Sequence, residues 1–232
     1  KSYNEEAEYD IVLANPPFSL KSWGHDVWSK GDAYGRDRYG CPPKSYGDLA
    51  FVQHMVDRLK EDGVCGVVLP HGVLFRGGAE GKIREGLIRG DLFEAGLGLA
   101  PHLLYGASIP GCSRILRKQK PAGRKGKILI VNGAEQKVGG KSQGRLSEAN
   151  VAALAKAYGD FADVERLARV VPVGEIEAND FNLNIRRYVH LGEEVEDVDV
   201  AAEVEKLVDL QAERDAAEAR MMGFLRELGY VA

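Results

Sequence analysis

The sequence of 232 residues lacks any apolar run approaching the roughly 18 residues that a membrane-spanning helix needs. Its first residues, KSYNEEAEYD, also lack the apolar core of a signal peptide. The three cysteines, Cys41, Cys65 and Cys112, form no CxxC pair, and the five histidines form no HxxxH or HExxH pattern. We therefore expect a cytoplasmic protein that contacts no membrane and holds neither a structural zinc ion nor another metal.

Positive charge is also scarce, because the formal net charge of the chain is −4. Proteins that hold DNA through their own phosphate contacts usually carry a basic surplus. If this chain acts on a nucleic acid, we therefore expect a partner protein to supply much of the binding.

Nucleotide-binding glycine loops are missing as well. The stretch GGAEGKI (77–83) has the wrong glycine spacing for a phosphate loop, and Ile83 stands where Ser or Thr is required. The stretch GLGLAP (96–101) begins like GxGxxG but ends in Pro101. His71 follows a predicted strand, where catalytic residues often gather, but we interpret it as a histidine satisfied by neighbouring backbone.

What the sequence does contain is an alternation of strands and helices. Apolar runs predict strands at 11–14, 64–70, 92–99, 113–118 and 127–132, although Ser113 and Arg114 interrupt the fourth. Residues 49–60 and 83–88 have the spacing of amphipathic helices. This order predicts an α/β fold with a mostly parallel sheet whose last strands are antiparallel.

The chain divides into three predicted regions: the sheet domain at 1–145, a helical and extended connection at 146–191, and an acidic linker with an amphipathic helix at 192–232. In that helix, predicted at about 200–229, seven residues follow a 3-4-3-4 spacing: Leu207, Leu210, Arg214, Ala217, Met221, Phe224 and Leu228. Such a seam pairs with another helix or packs on its own domain, and the sequence leaves both open.

The first strand ends in Asn15-Pro16-Pro17-Phe18, a turn that suits the methylation of an exocyclic amino group. The Asn15 side-chain oxygen and the Pro16 carbonyl can accept hydrogen bonds from both amino hydrogens and direct the nitrogen lone pair at a methyl donor. The prolines hold these acceptors in a fixed geometry, and Phe18 can stack on a base flipped out of the duplex.

Several longer strings extend this pattern: VLANPPFSLKSWG, YGCPPKSYGDLAFVQHMVDRLKEDG, VVLPHGVLFRGGAEGKIREGLI and NDFNLNIRRYV. In these strings the chain from Tyr9 to about Leu191 resembles the modification subunit of type I restriction–modification systems, a family of N6-adenine DNA methyltransferases. The resemblance implies the Rossmann-like sheet of S-adenosylmethionine-dependent methyltransferases, mostly parallel with one reversed strand.

The resemblance also implies roles for individual residues. Asn15, Pro16, Pro17 and Phe18 would form the catalytic base pocket, and Tyr105 would supply a second aromatic contact to the flipped base. Phe51 would lie near the adenine of the cofactor, S-adenosyl-L-methionine. For Arg186 and Arg187 two roles stay open, contact with DNA phosphates or attachment of the C-terminal helix.

The family's glycine-rich cofactor motif lies before the strand that precedes Asn15, and here only eight residues precede Tyr9. We therefore expect a sheet incomplete at its N-terminal half, with little methyltransferase activity and weak or no cofactor binding by this chain alone, which calorimetric titration would test. The strand at 9–14 would then have an unpaired apolar edge, so we expect self-association or a need for a complementary chain.

The expected partners are DNA, a specificity subunit that carries the target preference, a second modification subunit and a restriction subunit. Two other functions stay open: a non-catalytic module that docks a specificity subunit through the C-terminal helix, and methylation of a protein glutamine, which also uses an Asn-Pro-Pro-aromatic turn.

Overall fold

A six-stranded mixed sheet forms the centre of the protein. The computed structural model describes residues 7–104, 111–140, 144–190 and 200–230. The chain separates into two compact units, divided between Leu191 and Gly192. The first unit contains the sheet and the second contains one long helix. The predicted boundary at 145/146 stays a prediction.

The strands, in chain order, are β1 (Tyr9–Ala14), β2 (Leu59–Pro70), β3 (Phe93–Leu99), β4 (Gly111–Arg117), β5 (Lys127–Gly133), β6 (Val138–Gly139), β7 (Gly144–Arg145) and β8 (Ala168–Pro172). The main sheet has the order β1-β2-β4-β3-β5-β8, and β6 pairs only with β7. β1 runs parallel to β2 and β3 parallel to β5, whereas β4 and β8 run the opposite way. The carboxyl ends of β1, β2, β3 and β5 therefore share one edge of the sheet, the carboxyl edge.

The helices are α1 (His25–Trp28), α2 (Asp48–Asp57), α3 (Gly78–Arg89), α4 (Glu148–Asp160), α5 (Val173–Ala178) and α6 (Val200–Glu227). Short 3-10 turns occupy His71–Leu74, Ala122–Arg124 and Ile185–Arg187. α4 begins with a reciprocal cap, in which the Ser147 hydroxyl accepts from the Asn150 amide and the Asn150 side chain accepts from the Ser147 amide.

The alternation of apolar residues along the strands gives the sheet two covered faces. On β5, Ile128 and Ile130 join the main core, where residues of α2, α3 and α5 pack. Leu129 and Val131 point to the other face and pack against residues of α4. The first unit is therefore a three-layer α/β structure, as the alternation of predicted strands and helices indicated.

Two predicted boundaries are wrong around residue 59. The helix predicted at 49–60 ends at Asp57, and β2 begins at Leu59 instead of at residue 64. Leu59 pairs with Tyr9, after which pairing resumes between Ile11 and Val64, so residues 60–63 bulge out of the ladder. The helical spacing of apolar residues continues through Leu59, but Leu59 pairs with a neighbouring strand. This pairing, and not the local spacing, determines its conformation.

β1 lies at an edge of the sheet and, among the described residues, pairs only with β2. Its side chains alternate, and Val12 and Ala14 pack on the main core. The side chains of Tyr9, Ile11 and Leu13 are exposed, Leu13 at 79%. The predicted apolar edge is therefore confirmed within the described residues.

Arg114 lies in the middle of the sheet, paired on β4 with Val67 on one side and Gly96 on the other. Its side chain is only 1% exposed, and its guanidinium lies 5.2 Å from the centre of the Phe93 ring. The polar interruption of the fourth predicted strand is thus a buried cation, and the strand keeps its full pairing.

The described part of the second unit is mainly α6, which matches the helix predicted at about 200–229. Most of its large apolar side chains, including Leu207, Leu210, Met221 and Phe224, are exposed, as is Leu228 directly after the helix. Within the described part of the chain, no helix combines the length and the apolar character that crossing a membrane requires.

Candidate functional site

The NPPF turn, Asn15 to Phe18, directly follows β1 at the carboxyl edge. The Asn15 and Pro17 residues are exposed, and Pro16 and Phe18 are half-buried. Ser19, directly after the turn, has φ 51, a left-handed conformation that a residue with a Cβ rarely adopts. The turn therefore places an exposed Asn15 and a half-buried Phe18 at the strand end, and the catalytic roles of its four residues stay a prediction.

Two hydrogen bonds join the ends of the segment 19–47, which we call the long loop. The Ser19 amide donates to Oδ1 of Asp48 at 2.8 Å, and the Gly47 amide donates to the Leu20 carbonyl at 3.1 Å. A Cβ on Gly47 would lie 2.6 Å from the Trp23 ring, so the ring approaches the backbone as only glycine permits. The NPPF turn is thereby fixed against the start of α2.

The long loop also has internal contacts that give it a defined shape. The Nε of Arg36 donates to Asp32 at 2.8 Å, and hydrogen bonds from Arg36 lower the pKa of Asp32 to about 2. The buried side chain of Gln53 on α2 accepts from the Tyr39 amide and donates to the Gly40 carbonyl. The loop is therefore anchored on α2 at its middle as well as at its ends.

Arg76, in the segment after the 3-10 turn His71–Leu74, lies beside Asp48. Its Nη1 is 3.9 Å from Oδ2 of Asp48 and 3.5 Å from Oε1 of Glu80. Its guanidinium lies 4.2 Å from the centre of the Tyr46 ring, an attractive cation–π contact. Burial raises the pKa of Glu80 more than the charge of Arg76 lowers it.

His71 follows β2 at the same edge, and its ring meets the Phe75 ring edge-on, with the centroids 5.9 Å apart. Burial lowers its pKa, and the charges of Arg114 and Arg186 lower it further. These effects favour the neutral form of His71. The interpretation of His71 as a histidine satisfied by backbone stays a prediction.

The segment 179–189 lies against this edge and contains both predicted arginines, Arg186 and Arg187, which have different surroundings. The Leu183 amide donates to the Leu74 carbonyl at 2.9 Å. Arg186 lies close enough to His71 to lower its pKa. Arg187 instead donates to Asn179 and, with Lys82, lines a cavity of about 340 Å³ at the start of α3. Arg186 thus lies within electrostatic reach of His71 at the carboxyl edge, whereas the described contact of Arg187 is with Asn179.

Phe51 lies one helical turn after Asp48 on α2, half-buried against the main core. Its predicted contact with the adenine of a cofactor stays a prediction. Tyr105 lies outside the described residues. Among the described residues, no group of three or more His, Cys, Asp or Glu side chains could hold a metal ion.

Sequence reasoning did not identify Asp48, Arg76 or Arg84 as site residues. Asp48 and Arg76 contact the long loop, and Arg84 contacts the segment 179–189. A partial signal exists for the first two, because each adjoins glycine in GDLAF or FRGG and glycine permits close backbone approach. The residues that these three side chains contact could not be predicted from the local sequence, because they lie far away in the chain.

Comparison with known proteins gives concordant results. The sequence profile of the family described as N-6 DNA Methylase matches residues 1–197. The MjaVII and MjaVIII type I restriction enzyme methylase subunits of Methanocaldococcus jannaschii are 36% and 38% identical to this chain, each over 94% of it. The chain spans only 39% and 38% of those relatives, about two fifths of their length.

Solved structures agree in fold. The methyltransferase subunit of a type I restriction-modification system from Streptococcus thermophilus superposes with a TM-score of 0.73 at 35% identity, over 81% of this chain and 39% of that chain. The M protein of the type I restriction enzyme EcoKI superposes with a TM-score of 0.59 at 17% identity, over 93% of this chain and 50% of that one, which supports the fold alone.

Proposed function

The chain belongs to the N-6 DNA methylase family, and from this premise we propose that it carries the base pocket of a type I restriction–modification methyltransferase. The reaction is transfer of a methyl group from S-adenosylmethionine to the N6 amino group of an adenine flipped out of DNA. The observation that carries the proposal is the exposed Asn15 in a proline-stiffened turn, followed by the half-buried Phe18, at the carboxyl end of β1.

The chemistry of the pocket follows from two acceptors and one ring. The Asn15 side-chain oxygen and the Pro16 carbonyl accept the two hydrogens of the adenine amino group. This draws the nitrogen toward a tetrahedral geometry and frees its lone pair for attack on the methyl group. Because the turn is fixed before the substrate binds, little reorganisation opposes the reaction. Phe18 stacks on the flipped base and offsets part of the cost of unstacking it.

S-adenosylmethionine, when bound, supplies the electrophilic methyl group. The described residues fit part of this molecule, because Phe51 offers a half-buried aromatic surface one helical turn from Asp48. We propose that Phe51 packs on the cofactor's adenine ring.

The proposed partners are DNA, a specificity subunit that selects the target, a second modification subunit and a restriction subunit, in the cytoplasm. The net charge of −4 supports the proposal that another subunit supplies much of the DNA binding. α6, with its exposed apolar side chains, is the proposed docking element, and Arg186 at the carboxyl edge is the better placed of the two arginines to meet DNA.

The test is methyl transfer to unmethylated DNA by the intact methylase with its specificity subunit. We expect Asn15→Ala to lower kcat by about 10²–10³-fold, as the loss of one preorganised polar contact does elsewhere. Asp10→Ala is the matched control, because Asp10 lies on β1, the strand that leads into the turn, is exposed and pairs with Lys60 on β2. An unchanged rate for Asn15→Ala, or label found on protein instead of DNA, would contradict the proposal.

A further inference from the structure

One buried carboxylate holds the NPPF turn from behind. The Ser19 amide donates to Oδ1 of Asp48 at 2.8 Å, and the Asp48 side chain is 0% exposed. This N–H belongs to the same planar peptide unit as the Phe18 carbonyl, so the bond fixes the orientation of that peptide. Since Ser19 is left-handed, at φ 51, the bond also stabilises a conformation that the backbone would otherwise rarely adopt.

The other oxygen of Asp48 faces Arg76. Oδ2 is buried and makes no hydrogen bond to any described residue, but Nη1 of Arg76 lies 3.9 Å away. Arg76 is confined in turn: Glu80 accepts from the same nitrogen, and the Tyr46 ring covers one face of the guanidinium. A Cβ on Gly72 would lie 2.6 Å from Nε of Arg76, so a larger residue there would displace the guanidinium. The cation opposite Asp48 is thus held in place.

A second buried cation, Arg114, lies near Cys112, as Asp48 does. Burial raises the pKa of the Cys112 thiol, the charge of Arg114 lowers it, and the charge of Asp48 raises it, so both charged groups lie near this thiol. The Arg114 side chain is 1% exposed, and Nε and Nη2 have no hydrogen-bond partner among the described residues. Burial of a carboxylate requires a compensating partner, and Arg76, 3.9 Å from Oδ2, is that partner for Asp48.

We propose that Asp48 is a positioning residue for methyl transfer: its carboxylate, held against Arg76, fixes the peptide after Phe18 and so aligns the NPPF turn with the flipped adenine. This inference rests on the proposed function. It assigns Asp48 no contact with substrate or cofactor. A purely structural role, as the acidic residue that begins α2, would instead affect stability and leave the turnover of the folded enzyme unchanged.

Four variants of the intact methylase with its specificity subunit separate these roles. Asp48→Ala removes the acceptor, whereas Asp48→Asn keeps an oxygen for the Ser19 amide and loses the charge. Asp57→Asn is the matched control, because it removes a carboxylate from the same helix about 13 Å along its axis. Asn15→Ala reports on the proposed function itself.

Two measurements are made on each variant. Hydrogen–deuterium exchange of peptides covering residues 15–22, without DNA, reports on the Ser19 amide independently of catalysis. Steady-state methylation, normalised to folded protein, gives kcat and the KM for DNA. We expect Asp48→Ala to exchange faster and to lose about 10- to 100-fold in kcat, as a misplacement of about 1 Å can cost, with little change in KM. We expect Asp48→Asn to recover part of both losses and Asp57→Asn to match the wild type.

A wild-type kcat for Asp48→Ala, or unchanged exchange at 15–22, overturns the inference. An equal loss of kcat in Asp57→Asn and Asp48→Asn also overturns it, because a general charge effect would then suffice. The proposed function fails by a different result, full methylation by Asn15→Ala, and the exchange measurement still decides whether Asp48 holds the turn.

Discussion

The guanidinium of Arg84 on α3 donates a hydrogen bond of 2.7 Å to the carbonyl oxygen of Phe181, 97 residues later in the chain. The same side chain donates from Nη1 to the carbonyls of Val73 and Arg76. Burial lowers the pKa of Arg84 to about 10, and the nearby charge of Arg114 lowers it too, so Arg84 stays charged at neutral pH. One buried cation thus joins three segments at the carboxyl edge.

Arg84→Met should destabilise the protein by about 3 kcal/mol or more. The substitution keeps much of the apolar stem but leaves three carbonyl oxygens without their donor, and each unpaired buried acceptor costs about 1–3 kcal/mol. Lys82→Met is the control, because Lys82 is exposed on the same helix, and little change is expected there. Urea unfolding measures the free energy of unfolding of both variants. Equal values for the two variants would contradict the role of Arg84.

Glu94→Gln should remove part of the acid sensitivity of folding. The Glu94 side chain is fully buried and accepts from Nε of Arg117 at 2.8 Å, from the Tyr158 hydroxyl at 3.0 Å and from Arg124. Burial raises its pKa, but the hydrogen bonds from Arg124 and Arg117 outweigh burial and lower it below the ordinary 4.5. Because the folded pKa is depressed, the contribution to stability is present above about pH 4.5 and is lost as the pH falls through the folded pKa.

At pH 7 we expect Glu94→Gln to cost about 3–5 kcal/mol, since breaking a buried ion pair leaves uncompensated charge. The free energy of unfolding, measured from pH 7 to pH 3, should fall less steeply for the variant than for the wild type. Parallel curves would show that another carboxylate carries the acid sensitivity.

Gly47→Ala should loosen the long loop. The added methyl would lie 2.6 Å from the Trp23 ring, so either the ring or the backbone must move, at a cost of about 1–3 kcal/mol. Gly174→Ala is the control, because a Cβ there meets nothing within 4 Å and the residue lies in α5. We expect thermal unfolding and Trp fluorescence to change in Gly47→Ala and not in Gly174→Ala. Identical unfolding temperatures and fluorescence spectra of the two variants would exclude the clash.

The 232-residue chain should self-associate through the exposed side of β1. The Ile11 and Leu13 side chains are 63% and 79% exposed beside a strand edge that has no partner among the described residues. The double variant Ile11→Lys/Leu13→Lys should shift sedimentation velocity toward monomer. Val151→Lys, at an exposed apolar residue on α4, should not. A wild-type chain that stays monomeric at high concentration would refute this prediction.

The sheet was largely predictable because its strands carry their own signal. Apolar runs marked β3 and β5 to within one residue at each end, since their side chains pack on both covered faces of the sheet. β8 was placed only within a helical and extended connection. Its sequence, ARVVP, is short, and what defines it as a strand is its pairing with β5.

The sequence predicts the candidate site only where its residues are adjacent in the chain. The NPPF turn is contiguous, so its residue types alone indicate the chemistry. Asp48 and Arg84 form hydrogen bonds with residues that are 29 and 97 positions away in the chain. The periodic pattern of apolar residues in a single sequence does not reveal contacts between residues so far apart. Arg114 was noticed only as an interruption, because a buried cation inside a strand contradicts the pattern on which strand prediction depends.

The closure of the long loop has a consequence for how this protein can change over time. Because Ser19 and Leu20 are bonded directly to Asp48 and Gly47, the ends of the loop stay together whatever lies between them. The entropic cost of closing a loop grows only slowly with its length. Insertions or deletions within the loop can therefore leave the NPPF turn in place, whereas Gly31 and Gly35, with φ 99 and 69, disfavour exchange for a residue with a Cβ. The surface beside the site can diversify while its chemistry stays constant.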